Sequence, residues 1–143
     1  MSKDSTWNPV TGCNSATPGL LLPVPVPPGI NRGETYRSTP QGPRYTARAR
    51  KWREEALLCI MLARTLQHHE SVPEAPLTLT IERPVRDRHD LDSGLKLLLD
   101  VVAQGLGVDD RRFTVITLRR NEAVEAGWVW VRITAEQVND TPP

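Results

Sequence analysis

The sequence predicts an α+β domain of two layers, in which two main helices pack on a mixed four-stranded sheet. Residues 77–83 alternate between apolar and polar side chains, which is typical of a strand with one buried face. Residues 46–67 instead repeat apolar side chains at helical spacing, and a second helical pattern follows the strand. Further strand patterns at 20–26, 113–118 and 128–133 complete the predicted sheet.

A chain of 143 residues is long enough for one domain with a hydrophobic core. We place this domain at residues 20–135, between a flexible N-terminal tail at 1–19 and a C-terminal tail at 136–143, because both ends are polar and aperiodic. No apolar run approaches the ~20 residues of a membrane span, and no signal peptide opens the chain. Two cysteines without metal-ligand spacing suit a reducing compartment. We therefore expect a soluble, cytoplasmic protein without a membrane partner.

Each predicted element has its own sequence signal. The first strand contains Pro23 and Pro25, which cannot donate ladder hydrogen bonds, so we expect it at an edge of the sheet. Residues 27–43 read as one long loop. Thr46 suits the N-cap of the first helix. The residues of this helix that should face the sheet share helical spacing: Trp52, Ala56, Cys59, Ile60 and Ala63.

The C-terminal half predicts a second helix and a hairpin. The helical pattern begins at Leu91, and Gly105 and Gly107 end it. Residues 119–127 should join the last two strands as a hairpin loop. Trp128 and Trp130 share one face of the last strand, where we expect them to serve core or dimer packing.

Acidic residues are concentrated around the second helix. Six aspartates lie between residues 87 and 110, against one arginine and one lysine. Helix capping and the positive end of the helix macrodipole explain one or two of them. If Asp90, Asp92 and Asp110 converge, a hard divalent cation is the usual way to offset their repulsion. We therefore expect a metal site, with capping as the alternative.

Basic residues are concentrated earlier in the chain. Residues 32–53 carry seven basic residues and one acidic residue, although the net charge of the whole chain is only +1. A protein that holds a cation in one place and a polyanion in another has this distribution. The residues expected to contact DNA are Asn31, Arg32, Arg37, Arg44, Arg48, Lys51 and Arg88. Solvated side chains on a flexible segment are the alternative.

The acidic segment also carries a recognisable order of residues: Asp90-Leu91-Asp92, Lys96, Asp100 and Asp109-Asp110. This order resembles the signature of the RusA family, phage and bacterial endodeoxyribonucleases that resolve Holliday junctions. The proline-rich segment 25–31, which ends in an asparagine, is similar to the opening of that family. The likeness covers residues 20–135 and departs from the family at Ser93-Gly94, where an asparagine often follows the second aspartate.

The resemblance implies an RusA-like fold and a homodimer that makes paired cuts in four-way DNA junctions during recombination and repair. It implies that Asp90, Asp92 and Asp110 hold Mg²⁺, for which Mn²⁺ can substitute, with Asp109 as the alternative to Asp110. The ion would lower the pKa of a bound water. Lys96 would act as a further catalytic residue, oriented by Asp100. Two alternatives are another metal-dependent nuclease, acting on flaps, duplex or RNA, and a DNA-binding protein without catalysis.

Overall fold

The structure is a computed structural model that describes residues 7–8, 13–14, 19–29, 36–68, 72 and 74–135. Strands β1 (Trp7–Asn8) and β2 (Cys13–Asn14) form a two-stranded antiparallel ladder. The rest of the tail expected at 1–19, apart from residue 19, lies outside the described residues, as does the whole C-terminal tail at 136–143.

The four strands expected from the sequence form one mixed sheet. They are β3 (Leu20–Pro25), β6 (Leu77–Arg83), β7 (Phe113–Arg120) and β8 (Trp128–Ala135). The order is β3-β8-β6-β7, with β6 and β7 parallel and the other neighbours antiparallel. Strand β3 lies at an edge, as its two prolines predict.

Two helices form the second layer. Helix α1 spans Ala47–Leu66, and the side chain of Thr46 caps it by accepting a hydrogen bond from the N–H of Ala49 at 3.1 Å. Helix α2 spans Leu95–Leu106, and a short 3₁₀ helix at Asp110–Arg112 leads into β7. The predicted two-layer α+β architecture, with a mixed four-stranded sheet and two main helices, is confirmed.

The hydrophobic core lies between the helices and one face of the sheet. Four of the five α1 residues predicted to face the sheet are buried, and Cys59 is half-buried. Alternate residues of three strands complete the core: Leu20, Leu22, Val24, Leu77, Leu79, Ile81, Val129, Val131 and Ile133. Because side chains alternate along a strand, Trp128 and Trp130 share the opposite face of the sheet, as predicted, and Trp128 is 38% exposed there.

The predicted hairpin between the last two strands is wrong. Strand β6 lies between β7 and β8, so residues 121–127 cross over β6 instead of closing a tight turn. The reason is the connection through α2, which allows β7 to return parallel to β6 in a βαβ unit. Strand β8 then pairs with the other side of β6.

Most of a β-hairpin at residues 36–45 lies within the segment that was predicted to be a loop at 27–43. Strands β4 (Tyr36–Thr39) and β5 (Gly42–Tyr45) pair antiparallel, and β5 leads directly to the N-cap of α1. In the sequence this hairpin appears as the mirrored order Tyr-Arg…Arg-Tyr around Pro-Gln-Gly-Pro, which places identical residues opposite each other. Two prolines and a glycine in ten residues hide this pattern from a simple alternation test.

Helix α2 begins four residues later than the apolar pattern predicts. Residues 91–94 form turns, because the N–H of Ser93 bonds to the carbonyl of Asp90 at 3.0 Å and Gly94 has φ +69°. A Cβ at position 94 would lie 2.9 Å from Cγ of Pro27, so this position combines a left-handed backbone with a close approach. Asp92 therefore lies outside α2, whereas Lys96 and Asp100 lie within it.

Candidate functional site

A buried ion pair organises the acidic loop that follows β6. Arg83 is 1% exposed, and its Nε donates to Oδ2 of Asp87 at 2.6 Å while its Nη1 donates to the carbonyl of Ser93 at 2.8 Å. The second carboxylate oxygen of Asp87 accepts the backbone N–H of His89 at 3.1 Å and lies 2.9 Å from Nδ1 of the same residue. These contacts tie both ends of the loop to the last residue of β6.

The same contacts stabilise the charged form of the Asp87 carboxylate. Burial raises the pKa of Asp87, but the hydrogen bonds from His89 and Arg83 outweigh burial and lower the pKa to about 2. Arg120 adds a third tie, because its Nη2 donates to the carbonyl of His89 at 2.7 Å. The sequence did not assign this role to Arg83 or Arg120, because it does not show that an arginine at the end of a strand is buried.

Two of the three aspartates that were expected to bind metal lie on this loop, and the third lies in the 3₁₀ helix that follows α2. Asp90, Asp92 and Asp110 are all exposed, and so is Lys96. Within the described ranges, which include all three aspartates, no group of three or more His, Cys, Asp or Glu side chains could hold a metal ion. The three carboxylates therefore do not form a centre that fits Mg²⁺ or Mn²⁺. The individual roles of these four residues stay predictions.

Capping, the alternative explanation, applies to one aspartate outside the predicted trio. Asp109 accepts the N–H of Arg111 at 2.9 Å and caps the 3₁₀ helix. The hydrogen bonds from Arg111 lower the pKa of Asp109, so its carboxylate is engaged within its own turn. The N-cap of α2, in contrast, is Gly94, which provides no side-chain cap.

Exposed basic residues lie on two consecutive elements of the chain, although not all of the predicted ones are among them. Asn31 and Arg32 lie outside the described residues, and Arg88 is exposed on the acidic loop instead. The other four predicted residues lie on the β4–β5 hairpin and in the first turns of α1. Arg50, which was not predicted, lies between two of them in α1. We call this set the basic hairpin surface, and it consists of Arg37, Arg44, Arg48, Arg50 and Lys51, all exposed.

The hairpin holds its two arginines in an unfavourable position. Arg37 is the direct cross-strand partner of Arg44. Like charges in this position are about 5 Å apart at Cβ and destabilise the pair by a few tenths of a kcal/mol or more. The opposite face of the hairpin compensates, because Tyr36 stacks on Tyr45 with ring centroids 5.2 Å apart and the Arg53 guanidinium lies 4.8 Å from the centroid of the Tyr45 ring. The tyrosine face thus anchors the hairpin, and the arginine face is left to solvent.

The first turn of α1 adds cations where the helix macrodipole disfavours them. This turn contains no acidic residue, and Arg48, Arg50 and Lys51 lie in the first turns of the helix. The Nη1 of Arg50 donates to the carbonyl of Tyr45 at 3.1 Å, which joins the helix to the hairpin. The hairpin and the start of the helix, which this hydrogen bond joins, therefore both expose positive charge.

A second buried charge lies on the face of the sheet that carries the tryptophans. Glu82 is 2% exposed, and its carboxylate pairs with the guanidinium of Arg132. The carboxylate also accepts a hydrogen bond from Nδ2 of Asn121 at 2.6 Å and lies 3.6 Å from Nε of Arg119. Three partners satisfy this carboxylate, so we regard it as structural.

The described part of the chain contains no helix that is long and apolar enough to cross a membrane. No protein-family model matches the chain, and no curated protein matches it. The solved structures that show some likeness to its fold include two synthases. One is 2C-methyl-D-erythritol-2,4-cyclodiphosphate synthase in a form bound to CDP, with 20% identity and a TM-score of 0.36 over 60% of this chain and 55% of that chain. The other is 2C-methyl-D-erythritol 2,4-cyclodiphosphate synthase from Plasmodium vivax, with 10% identity and a TM-score of 0.31 over 83% and 97%.

The chain spans about half the length of the first of these structures, and at these TM-scores the likeness carries no argument about activity. The expected membership in the RusA family is nevertheless wrong: no family model and no curated protein supports the resemblance, and neither of the two solved structures is a RusA protein. The expectation of a Mg²⁺-dependent endodeoxyribonuclease that resolves Holliday junctions in recombination and repair is therefore wrong.

Proposed function

We propose that this protein binds the phosphate backbone of a nucleic acid through the basic hairpin surface, without cleaving it. The observation that carries the proposal is the direct cross-strand pairing of Arg37 with Arg44, both exposed. Such a pair costs free energy in the isolated protein, and an anion bound across both guanidinium groups reverses the sign of that cost. The proposal concerns the backbone chemistry that branched DNA, duplex DNA and RNA have in common.

The neighbourhood of the arginine pair favours a continuous polyanion over an isolated acidic group. Residues 36–53 contain six basic residues and no acidic residue. The N-terminus of α1 opens at the same place, where its dipole and its cations both attract phosphate. Four of the five residues of the surface are arginines, whose planar guanidinium matches the geometry of phosphate oxygens.

The salt dependence of binding to a labelled duplex DNA tests the proposal. We expect the logarithm of the association constant to fall linearly with the logarithm of the salt concentration. Replacing Arg37 and Arg44 together by alanine should flatten that slope by about 1.8, since each lost phosphate contact contributes roughly 0.9. The matched control replaces two exposed arginines outside the surface, Arg86 and Arg111, and should leave the slope unchanged.

Fluorescence anisotropy at four or more salt concentrations gives the slopes. An Arg37→Ala/Arg44→Ala variant with the wild-type slope would contradict the proposal. Equally strong binding to polyglutamate would also contradict it, because a carboxylate polymer would then satisfy the surface as well as a phosphate backbone does. A duplex RNA of the same sequence, run in parallel, separates the two kinds of nucleic acid.

A further inference from the structure

The face of the sheet opposite the core is accessible to solvent. Both main helices pack on the core face, and side chains alternate along each strand, so the register assigns the residues of the opposite face. The outer sheet face, as we call it, consists of alternate residues from 21 to 25 in β3, from 78 to 82 in β6, from 115 to 119 in β7 and from 128 to 134 in β8. Among these residues Glu82 alone is buried, and the others are exposed or half-buried.

Three flat side chains follow each other along β8 on the outer sheet face. Trp128, Trp130 and Arg132 occupy alternate positions of the strand, and Trp128 is 38% exposed. The guanidinium carbon of Arg132 lies 5.7 Å from the centroid of the Trp130 ring, which is within cation–π distance. Glu82 holds this guanidinium in place by pairing with it. The face therefore presents aromatic surfaces on a central strand, whose backbone is paired on both sides.

The outer sheet face has a surplus of positive charge. Its basic residues are Arg119 and Arg132, and its acidic residue is Glu82. The Glu82 carboxylate pairs with Arg132 and lies 3.6 Å from Nε of Arg119, so one negative charge faces two positive charges. The Arg119 side chain is 60% exposed. An anion that reaches this face therefore meets an accessible guanidinium and no exposed carboxylate of the face itself.

A second protein surface fits the outer sheet face poorly. The centre of a protein–protein interface is apolar and depleted of charged residues. The two central strands instead place an ion pair and three threonine hydroxyls beside the tryptophans, at Thr78, Thr80 and Thr134. Aromatic rings next to guanidinium and hydroxyl groups match an unpaired nucleobase, because every base has a π face and polar edges.

We propose that the outer sheet face binds single-stranded nucleic acid, with unpaired bases stacked on Trp128 and Trp130 and a phosphate group bound by Arg119. The choice of a nucleic acid over another flat ligand rests on the proposed function, in which the basic hairpin surface binds a phosphate backbone. Two residues of a strand span about 6.6 Å, roughly twice the 3.4 Å rise between stacked bases, so the two rings contact different bases. The bases of an intact duplex are stacked on one another, so this face selects unpaired segments.

Tryptophan fluorescence of the full chain tests this assignment, because a base stacked on an indole ring quenches its emission. We expect quenching by an oligodeoxythymidine of about 12 nucleotides, a length in the range that single-strand binding surfaces occupy. Trp128→Ala should weaken binding of this single strand by about 5- to 150-fold, the loss of one base stack, and change binding of a duplex of equal length by less than about twofold. Leu58→Ala, the matched control at an exposed apolar residue of α1, should change neither affinity.

Two further comparisons identify the kind of contact. Trp128→Phe keeps an aromatic ring and should bind the single strand more tightly than Trp128→Leu, which keeps apolar area without a π face. The salt dependence separates the base contact from the phosphate contact. Arg119→Ala should flatten the slope for the single strand by about 0.7, whereas Trp128→Ala should leave this slope unchanged.

Wild-type affinity for the single strand in Trp128→Ala, an equal loss of affinity for single strand and duplex, or equal binding by Trp128→Phe and Trp128→Leu would overturn the proposal. Equal quenching by a neutral linear oligosaccharide would overturn it in favour of a sugar ligand, and a wild-type dimer that Trp128→Ala dissociates would overturn it in favour of a second copy of the chain. Circular dichroism verifies that each variant is folded. A failed duplex salt-slope test at Arg37 and Arg44, together with a selective loss of single-strand binding in Trp128→Ala, would reject the basic hairpin surface alone, and the reverse result would reject the outer sheet face alone.

Discussion

Among the described residues, Asp87 is the only one whose carboxylate contacts the buried guanidinium of Arg83, and replacing Asp87 by asparagine removes that carboxylate. The pKa of Asp87 is about 2, against an ordinary value of 3.8, so the charged carboxylate is favoured in the folded state by about 2 kcal/mol. Asparagine also leaves Arg83, which is 1% exposed, as a buried cation without its counter-charge, and removal of one member of a buried pair typically costs about 3–5 kcal/mol. We therefore expect Asp87→Asn to lower the free energy of unfolding by about 2–4 kcal/mol at pH 7.

The pH dependence provides an independent measure of the same contact. Because folding lowers the pKa of Asp87, its stabilisation is fully present above about pH 4 and is lost as the pH falls through about 2. Urea unfolding of the wild type between pH 7 and pH 2 should show this loss, and Asp87→Asn should lack it.

Asp90→Asn is the matched control, because Asp90 is an exposed carboxylate of the same loop. It should change the free energy of unfolding by no more than about 0.5 kcal/mol. If Asp87→Asn were as mild as this control, or if it kept the full acid sensitivity of the wild type, the organising role of the Arg83–Asp87 pair would be refuted.

Two further predictions concern packing and the second buried charge. A Cβ at Gly105 would lie 2.6 Å from Cγ2 of Ile60, so Gly105→Ala should lower the free energy of unfolding by about 1–3 kcal/mol. In a double-mutant cycle measured by urea unfolding, this loss and the loss caused by Ile60→Ala should be less than additive. Glu82→Gln should cost about 3 kcal/mol by the same measurement because it breaks a buried pair, whereas Arg119→Ala, at a partner whose side chain is 60% exposed, should cost less than about 1 kcal/mol. Equal losses for Glu82→Gln and Arg119→Ala, or strict additivity in the cycle, would contradict these assignments.

The sequence predicted those strands and helices whose periodicity or capping residues lie within the element or next to it. The alternation at 77–83 defines β6, the prolines of β3 place it at an edge, and Thr46 caps α1. These predictions succeed because periodicity and capping depend on neighbours within a few residues. The hairpin at 36–45 was missed although its mirrored sequence carries a local signal, because its prolines and glycine obscure the alternation.

The candidate site was harder to predict, because its chemistry depends on distance in space. The aspartates at 90, 92 and 110 have the spacing of a metal site, yet they are exposed and form no metal-binding group with each other. The carboxylate that matters for the loop is Asp87, which gains its role from the burial of Arg83 at the end of β6. No spacing rule shows which of six aspartates in one segment meets a buried arginine.

The amino-acid sequence by itself determined the α+β class, the positions of the main strands and helices, and the separation of basic from acidic segments. Only the tertiary structure decided that β6 lies between β7 and β8, that Arg37 is opposite Arg44, and that α1 is apolar on two opposite sides. The physical reason is that periodicity and charge are properties of residues close together along the chain. Strand order, cross-strand repulsion and exposure depend instead on which distant segments pack together, and that choice is made by the free energy of the whole fold.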